Sequence, residues 1–369
     1  MKKYSASWVF IVIVLVVAIL FVALPKKTYS ENEKKVLPAF PQITWESVAD
    51  GSWGKSLEDY LASHFPLRDV FVGIHAYWQQ VLGLNGNSGV YKAEDGYLIT
   101  APGEFDAARA QRNLQYLKDF AENTGLDATL MVVPTAGFIL DDKLPDLHEE
   151  YYDRKLFALV ANSGLETVDL REDFLANTED LYYRTDHHLT AAGSLRMYQQ
   201  FCADRGITPK TFTLAESYPG FYGTTYSKSG LWETEPDTLE IYKPSEPSDF
   251  VVTITEKQDS VYNSLYFPGH LENLDKYPVY LDGNHAVVTI ENQMVQNGQT
   301  LLLLKDSYAH CFATYLAEHY ERIVMVDMRY YRGSVQELAA EHKATEILYL
   351  YGAENLATST DLAWLHPIG

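Results

Sequence analysis

The sequence predicts an α/β protein with a doubly wound, mostly parallel sheet, interrupted by a β-rich insertion and preceded by one apolar N-terminal helix. Three observations lead there. Uninterrupted apolar runs such as ATLMVVP (128–134), LLLL (301–304) and IVMV (323–326) suit strands buried on both faces. Stretches with helical spacing alternate with these runs, which is the rhythm of parallel strands joined by crossover helices. Residues 208–296 break that rhythm with TLEIYKP, FVVTITE and AVVTIEN among Gly and Pro turns.

Taken in order, the chain opens with an uncharged run from Trp8 to Leu24, near the lower limit for crossing a bilayer as a helix. Lys2 and Lys3 precede it, which favours an N-terminus inside the cell. A cleaved signal peptide would need a small-x-small site after the run, and none stands around Pro25. The expectation is an uncleaved signal-anchor over residues 1–27: a single pass through the cell membrane, with all that follows outside. Residues 28–54 are polar, contain Pro38 and Pro41, and read as a tether. One α/β domain is expected over 55–369. Within it, Leu57, Tyr60 and Leu61 mark helix with a break near Pro66. GVYKAEDGYLI (89–99) places two short apolar runs around Asp95-Gly96, a hairpin signal. Helices are expected near 104–124, 149–162 and 190–205, and strands near 128–134, 167–170, 321–328 and 345–351, while QTLLLLKDSYA (299–309) reads as buried strand, sharp turn and then helix.

Composition bounds the function. Apolar residues at 47% indicate a globular chain. The formal charge of −21 argues against nucleic acid and anionic lipid as partners of so acidic a surface. Two cysteines, Cys202 and Cys311, cannot build a structural zinc site, and spacing leaves open whether they pair. The 27 tyrosines suit sugar-like ligands, or serve simply as half-buried sheet residues.

Two constellations carry chemistry. Asp186-His187-His188 lies just before a helix start at Thr190. A histidine can act as a base near neutral pH, and a carboxylate can hold its tautomer. Three consecutive loop residues rarely converge on one ion, so no metal is expected there, and no cofactor elsewhere. The second constellation is Lys305-Asp306-Ser307-Tyr308-Ala309, directly after LLLL. A serine between a buried strand and a helix is exposed by the turn and sits at a positive helix end. It needs a nearby base to become a nucleophile.

These motifs, with HFPLRD (64–69), TTYSKSGL (224–231), DGNH (282–285) and VDMRYY (326–331), resemble the DHHW family of Firmicute surface proteins. That family is similar to the alginate O-acetyltransferases, whose fold is SGNH-hydrolase-like. The resemblance implies Ser307 as nucleophile, His188 as base and Asp186 as its orienting carboxylate, with His187 as spacer. It implies an O-acyltransferase, acetyl by analogy, acting on a surface polysaccharide or cell-wall polymer. A membrane-bound O-acyltransferase would then supply the acyl group, since no acetyl-CoA exists outside the cell. Leu189 replaces the tryptophan of the family motif and is expected in the pocket wall. Lys305 stands where SGNH hydrolases carry a glycine, so the oxyanion donors are expected to be the Ser307 N–H and the Asn284 side chain. Tyr308 and Arg329 are expected along the acceptor groove. Two alternatives remain: a carbohydrate esterase using the same triad, and a non-catalytic scaffold of a polymer-export complex.

Overall fold

Continuous apolar strands that can bury both faces form the centre of the fold. The computed structural model describes residues 5–366. The chain divides into two compact units, one running to Ser88 and taking in Tyr226–Glu233, the other formed by Gly89–Thr225 and the residues from Thr234 onward.

The second unit is built on an eight-stranded sheet. Its strands are β1 (Asp127–Val133), β2 (Glu166–Val168), β3 (Phe250–Thr255), β4 (Ser260–Tyr262), β5 (Val287–Asn292), β6 (Thr300–Lys305), β7 (Arg322–Val326) and β8 (Glu346–Gly352). The order is β4-β3-β5-β7-β6-β8-β1-β2. From β7 to β2 every pairing is parallel. β5 joins β7 antiparallel, and β3 and β4 continue antiparallel to the edge. The sheet is therefore mixed, with four parallel pairings and an antiparallel margin of three. Part of the stretch read as an insertion extends the sheet itself, and only Phe212–Phe221 with Asp237–Pro244 forms a separate antiparallel ribbon. Burial alternates along β3, as in a strand covered on one face, while β6 is buried at every residue.

Side-chain alternation assigns the two faces. Leu301, Leu303, Met131 and Leu350 pack with helices Ala191–Arg205 and Ala309–Leu316. Leu302, Leu304, Leu130 and Tyr349 pack with helices Ala107–Thr124 and Asp153–Ala161. A parallel sheet covered on both faces leaves its strand carboxyl ends as the place for a site. β6, enclosed between β7 and β8 in the parallel block, delivers Lys305 and then Ser307 there. Cys202 and Cys311 sit on the two helices of one face as buried free thiols, so they do not pair.

The hairpin around Asp95-Gly96 forms as Val90–Lys92 and Leu98–Thr100, with both turn residues at positive φ, 54° and 79°. In the first unit, helices Ser52–Ser63 and Arg68–Val81 flank the break near Pro66. Ser5–Ala23 is a helix of 19 residues, about 28 Å at 1.5 Å per residue. Among the described residues no helix is long and apolar enough to cross a membrane.

Helix Ala191–Arg205 begins directly against the loop before it. A Cβ on Gly193 would lie 2.2 Å from the Leu181 carbonyl oxygen, so only glycine allows that approach. Gly193→Ala should lower unfolding stability by about 1–3 kcal/mol through overpacking. Urea denaturation of both proteins checks it.

Candidate active site

Residues 181–190 form a tight loop whose ends are paired. Tyr182 and Leu189 make an antiparallel bridge, and Thr190 N–H donates to the Leu181 carbonyl at 3.0 Å. Thr190 caps the following helix by accepting from Gly193 N–H at 2.9 Å. A buried carboxylate fixes the loop tip: Asp237 accepts the Arg184 N–H at 3.1 Å, and the Thr185 N–H at 2.7 Å and hydroxyl at 2.6 Å. The backbone of Asp186 and His188 is thereby set before their side chains make any contact.

The second element is the turn after β6. Asp306 accepts the Tyr308 N–H at 3.0 Å with one oxygen. Its other oxygen accepts the Gly352 N–H and the Asn355 amide, each at 2.7 Å. These bonds tie the turn to the end of β8. Burial pushes the Asp306 carboxyl above the usual carboxylate range, against those hydrogen bonds. Gly352 is required here, since its Cβ would lie 2.5 Å from the Tyr308 ring.

The two elements meet. His188 Nε2 lies 2.7 Å from Ser307 Oγ, and Nδ1 faces Asp186 Oδ1 in a short hydrogen bond. Asp186 is 2% exposed, His188 5% and Ser307 8%, so all three members of the relay are shielded from bulk water. Asp186 Oδ1 also accepts the His188 N–H at 2.9 Å, and Oδ2 accepts the Thr224 hydroxyl at 2.8 Å and its N–H. With Nδ1–H directed at the carboxylate, Nε2 is left to accept the serine proton. Tyr277 stacks on the His188 ring at 3.9 Å between centroids and 8° between planes. Its hydroxyl donates to the Ser307 carbonyl at 3.1 Å. Among the described residues, no acceptor faces the Ser307 N–H.

The remaining expected residues separate into two groups. His187 stays at the site: its Nδ1 contacts the Thr224 hydroxyl at 2.6 Å. The Tyr308 hydroxyl donates to the His187 carbonyl at 2.8 Å, so this tyrosine braces the loop across the turn. Asn284 and Arg329 are instead brought to each other, at 3.1 Å, and Arg329 grips Asp327 with two bonds at 2.7 and 2.9 Å. No contact joins Asn284 to Ser307 among the described residues, and the Asn284 side chain is occupied as an acceptor. Leu189 lies in the core, 1% exposed, not in a pocket wall. Asp186, His187 and His188 each offer a ligand atom within 4.8 Å of the others. Closing them on an ion would take a ring nitrogen of His188 from Ser307 or Asp186.

Sequence reading did not single out Thr224, Gly223 or Tyr277. Thr224 opens the TTYSKSGL motif, and a Cβ on Gly223 would stand 2.1 Å from Asp186 Cβ, so that Gly-Thr step was the available signal. Tyr277 is one tyrosine among 27 and carried no local mark.

Comparison with known proteins agrees with this arrangement of elements. Residues 163–326 match the DHHW protein family, and residues 91–214 match the SGNH hydrolase-like domain of the acetyltransferase AlgX. A probable alginate O-acetylase AlgJ of Pseudomonas syringae pv. tomato is 29% identical over 172 residues, 42% of this chain. The chain covers 44% of that relative, less than half its length. Among solved structures, a DHHW family protein from Eubacterium siraeum superposes with a TM-score of 0.65 at 23% identity, covering 76% of this chain and 95% of that one. Bacillus cereus PatB1, solved with a sulfonyl adduct, gives 0.63 at 21% identity, covering 74% and 97%. At these identities the two structures speak to the fold.

Lys305, the departure from glycine before the serine, is 1% exposed. Its ammonium donates to Asp327 Oδ2 at 3.1 Å and contacts His310 Nε2 at 2.8 Å. Burial raises the Asp327 carboxyl, but the Arg329 hydrogen bonds and the Lys305 and Arg329 charges more than offset it, so the group ends below the usual carboxylate range. A carboxyl depressed in the folded state contributes stability above its unfolded pKa, near 4, and loses it as pH falls toward the folded value. Asp327→Asn should therefore cost stability at pH 7 and flatten the acid limb of the stability curve below about pH 4. Urea titrations at pH 7, 4 and 3 would show both effects.

Proposed function

From a chain in which a DHHW-family match overlaps an AlgX-like SGNH match, we propose an extracytoplasmic O-acyltransferase, acetyl by the names of its relatives. The acceptor is a surface polysaccharide or cell-wall polymer. One observation carries the reading: a single imidazole has one nitrogen on a buried carboxylate and the other 2.7 Å from a serine hydroxyl.

The chemistry follows from that geometry. His188 Nε2 takes the proton of Ser307 as Oγ attacks the acyl carbonyl of the donor, and Asp186 stabilises the imidazolium. The Ser307 N–H, which meets no acceptor among the described residues, supplies the oxyanion donor in this reading. His188 then gives its proton to the leaving oxygen, which departs and leaves an acyl-serine. In the second half a sugar hydroxyl gives its proton to His188 and attacks the same carbonyl. The ester moves to the sugar, and His188 returns the proton to Ser307.

Acyl groups outside the cytoplasm must be delivered, so the reading includes a membrane-bound O-acyltransferase as donor. The apolar helix Ser5–Ala23 supports anchoring beside it, with the site on the outer side of the cell membrane. Met1 to Tyr4, which carry the flanking Lys2 and Lys3, lie outside the described residues.

The full chain should react with a fluorophosphonate at Ser307, and Ser307→Ala and His188→Ala should abolish labelling. With an acetylated chromogenic ester and an oligosaccharide acceptor, Ser307→Ala should lower turnover about 1000-fold or more. Acetylated oligosaccharide as product supports transfer. Acetate alone, with or without acceptor, makes the protein an esterase. Unlabelled serine, with polymer acetylation in cells unchanged by Ser307→Ala, leaves a scaffold.

A further inference from the structure

Most of the large apolar side chains exposed among the described residues fall at or before Leu84. Those of helix Ser5–Ala23 belong to the anchor reading. The others do not, and helix Arg68–Val81 shows why they need an explanation of their own. Val70, Phe71, Ile74, Trp78 and Val81 are 52–74% exposed, and their spacing puts them along one face. The residues this helix buries are Gly73 and Ala76. Gly73 lies against the Trp232 ring so closely that a Cβ would stand 2.9 Å from it, and the Trp232 indole N–H donates to the Asp69 carbonyl at 2.8 Å. The helix thus packs inward through its smallest residues and presents its largest apolar ones outward. A helix facing water does the reverse.

We propose that this outward face, with Trp45 and the turn after helix Ser5–Ala23, forms a collar seated at the headgroup–acyl boundary of a phospholipid bilayer. The inference rests on the membrane-anchor reading. Three observations select lipid as the occupant. The collar belongs to the same compact unit as the apolar helix, and Phe21 near that helix's end packs on Tyr60 at 6.1 Å. Trp45, 92% exposed, and Trp78 are the residue type whose apolar ring and N–H tip suit the interface. A cavity of 310 Å³ opens between the helix end and the start of Arg68–Val81. Lys26, Lys27 and Arg68 line it beside Leu24 and Phe65, and although Glu33 and Asp69 line it too, cations adjoin apolar groups there as a phosphate head and its acyl chain require. Arg68 is shared with Glu33 through bonds at 2.8 and 3.2 Å, while Lys27 stands exposed. The charge argument against anionic lipid belongs to the rest of the chain, since basic and acidic side chains nearly balance from Lys26 to Ser88.

The test uses the full chain in vesicles of phosphatidylcholine and phosphatidylglycerol. Both native cysteines are buried, so a spin label goes to one introduced cysteine at a time: Phe71→Cys, Ile74→Cys, Trp78→Cys, with Lys55→Cys and Val14→Cys as references. Collision with oxygen should exceed collision with a nickel chelate at positions 71, 74 and 78, and the order should reverse at 55. Chelate dominance at all three positions overturns the collar. Protection from both reagents there means a second copy covers the face, which also overturns it. The label at 14 reports the anchor separately, and fluorophosphonate reaction at Ser307 in the same vesicles reports the enzyme reading independently of both.

Discussion

The arrangement depends on one buried carboxylate with every lone pair in use. Asp186 is cut off from water, and a charge in that position is tolerable only if hydrogen bonds replace its hydration. Four donors do so: the His188 ring and N–H on one oxygen, the Thr224 N–H and hydroxyl on the other. Those donors come from different stretches of chain, so satisfying the carboxylate forces the 181–190 loop and the Gly223-Thr224 step together. The absence of a side chain at Gly223 is what leaves room for that approach.

The same device recurs. Asp237 organises the tip of the histidine loop, and Asp306 ties the serine turn to the end of β8, each through backbone N–H groups. Short loops positioned by buried acceptors on a rigid sheet hold their side chains to the tolerance that proton transfer needs. An acidic composition at the level of the chain is thus partly an internal matter: several carboxylates are structural acceptors, not surface charge.

Much of this was legible in the residues. Uninterrupted apolar runs gave the parallel strands because strands buried on both faces have no polar side. The serine and the Asp-His pair stood out because both sit where a strand or loop hands over to a helix. What stayed hidden is instructive. The antiparallel half of the sheet was read as an insertion because strand pairing is a long-range property, and β3 and β5 look alike whether they extend a sheet or cover it. Asn284 was expected as an oxyanion donor, and the structure engages its Oδ1 with Arg329, a long-range pairing that the local Asp-Gly-Asn sequence does not reveal. Leu189 was taken for a pocket residue because it adjoins His188, yet its bridge to Tyr182 turns it into the core. Lys305 looked like a defect in the serine block and is instead one partner of a buried ion pair with Asp327.

Tyr277 touches both halves of the relay, its ring lying flat on the imidazole and its phenol bonded to the backbone of the nucleophile. A ring so covered cannot turn over about its own bond without displacing the tyrosine first. The imidazole is therefore held in one orientation, and general base and nucleophile share a single support, so a change at Tyr277 would loosen both together.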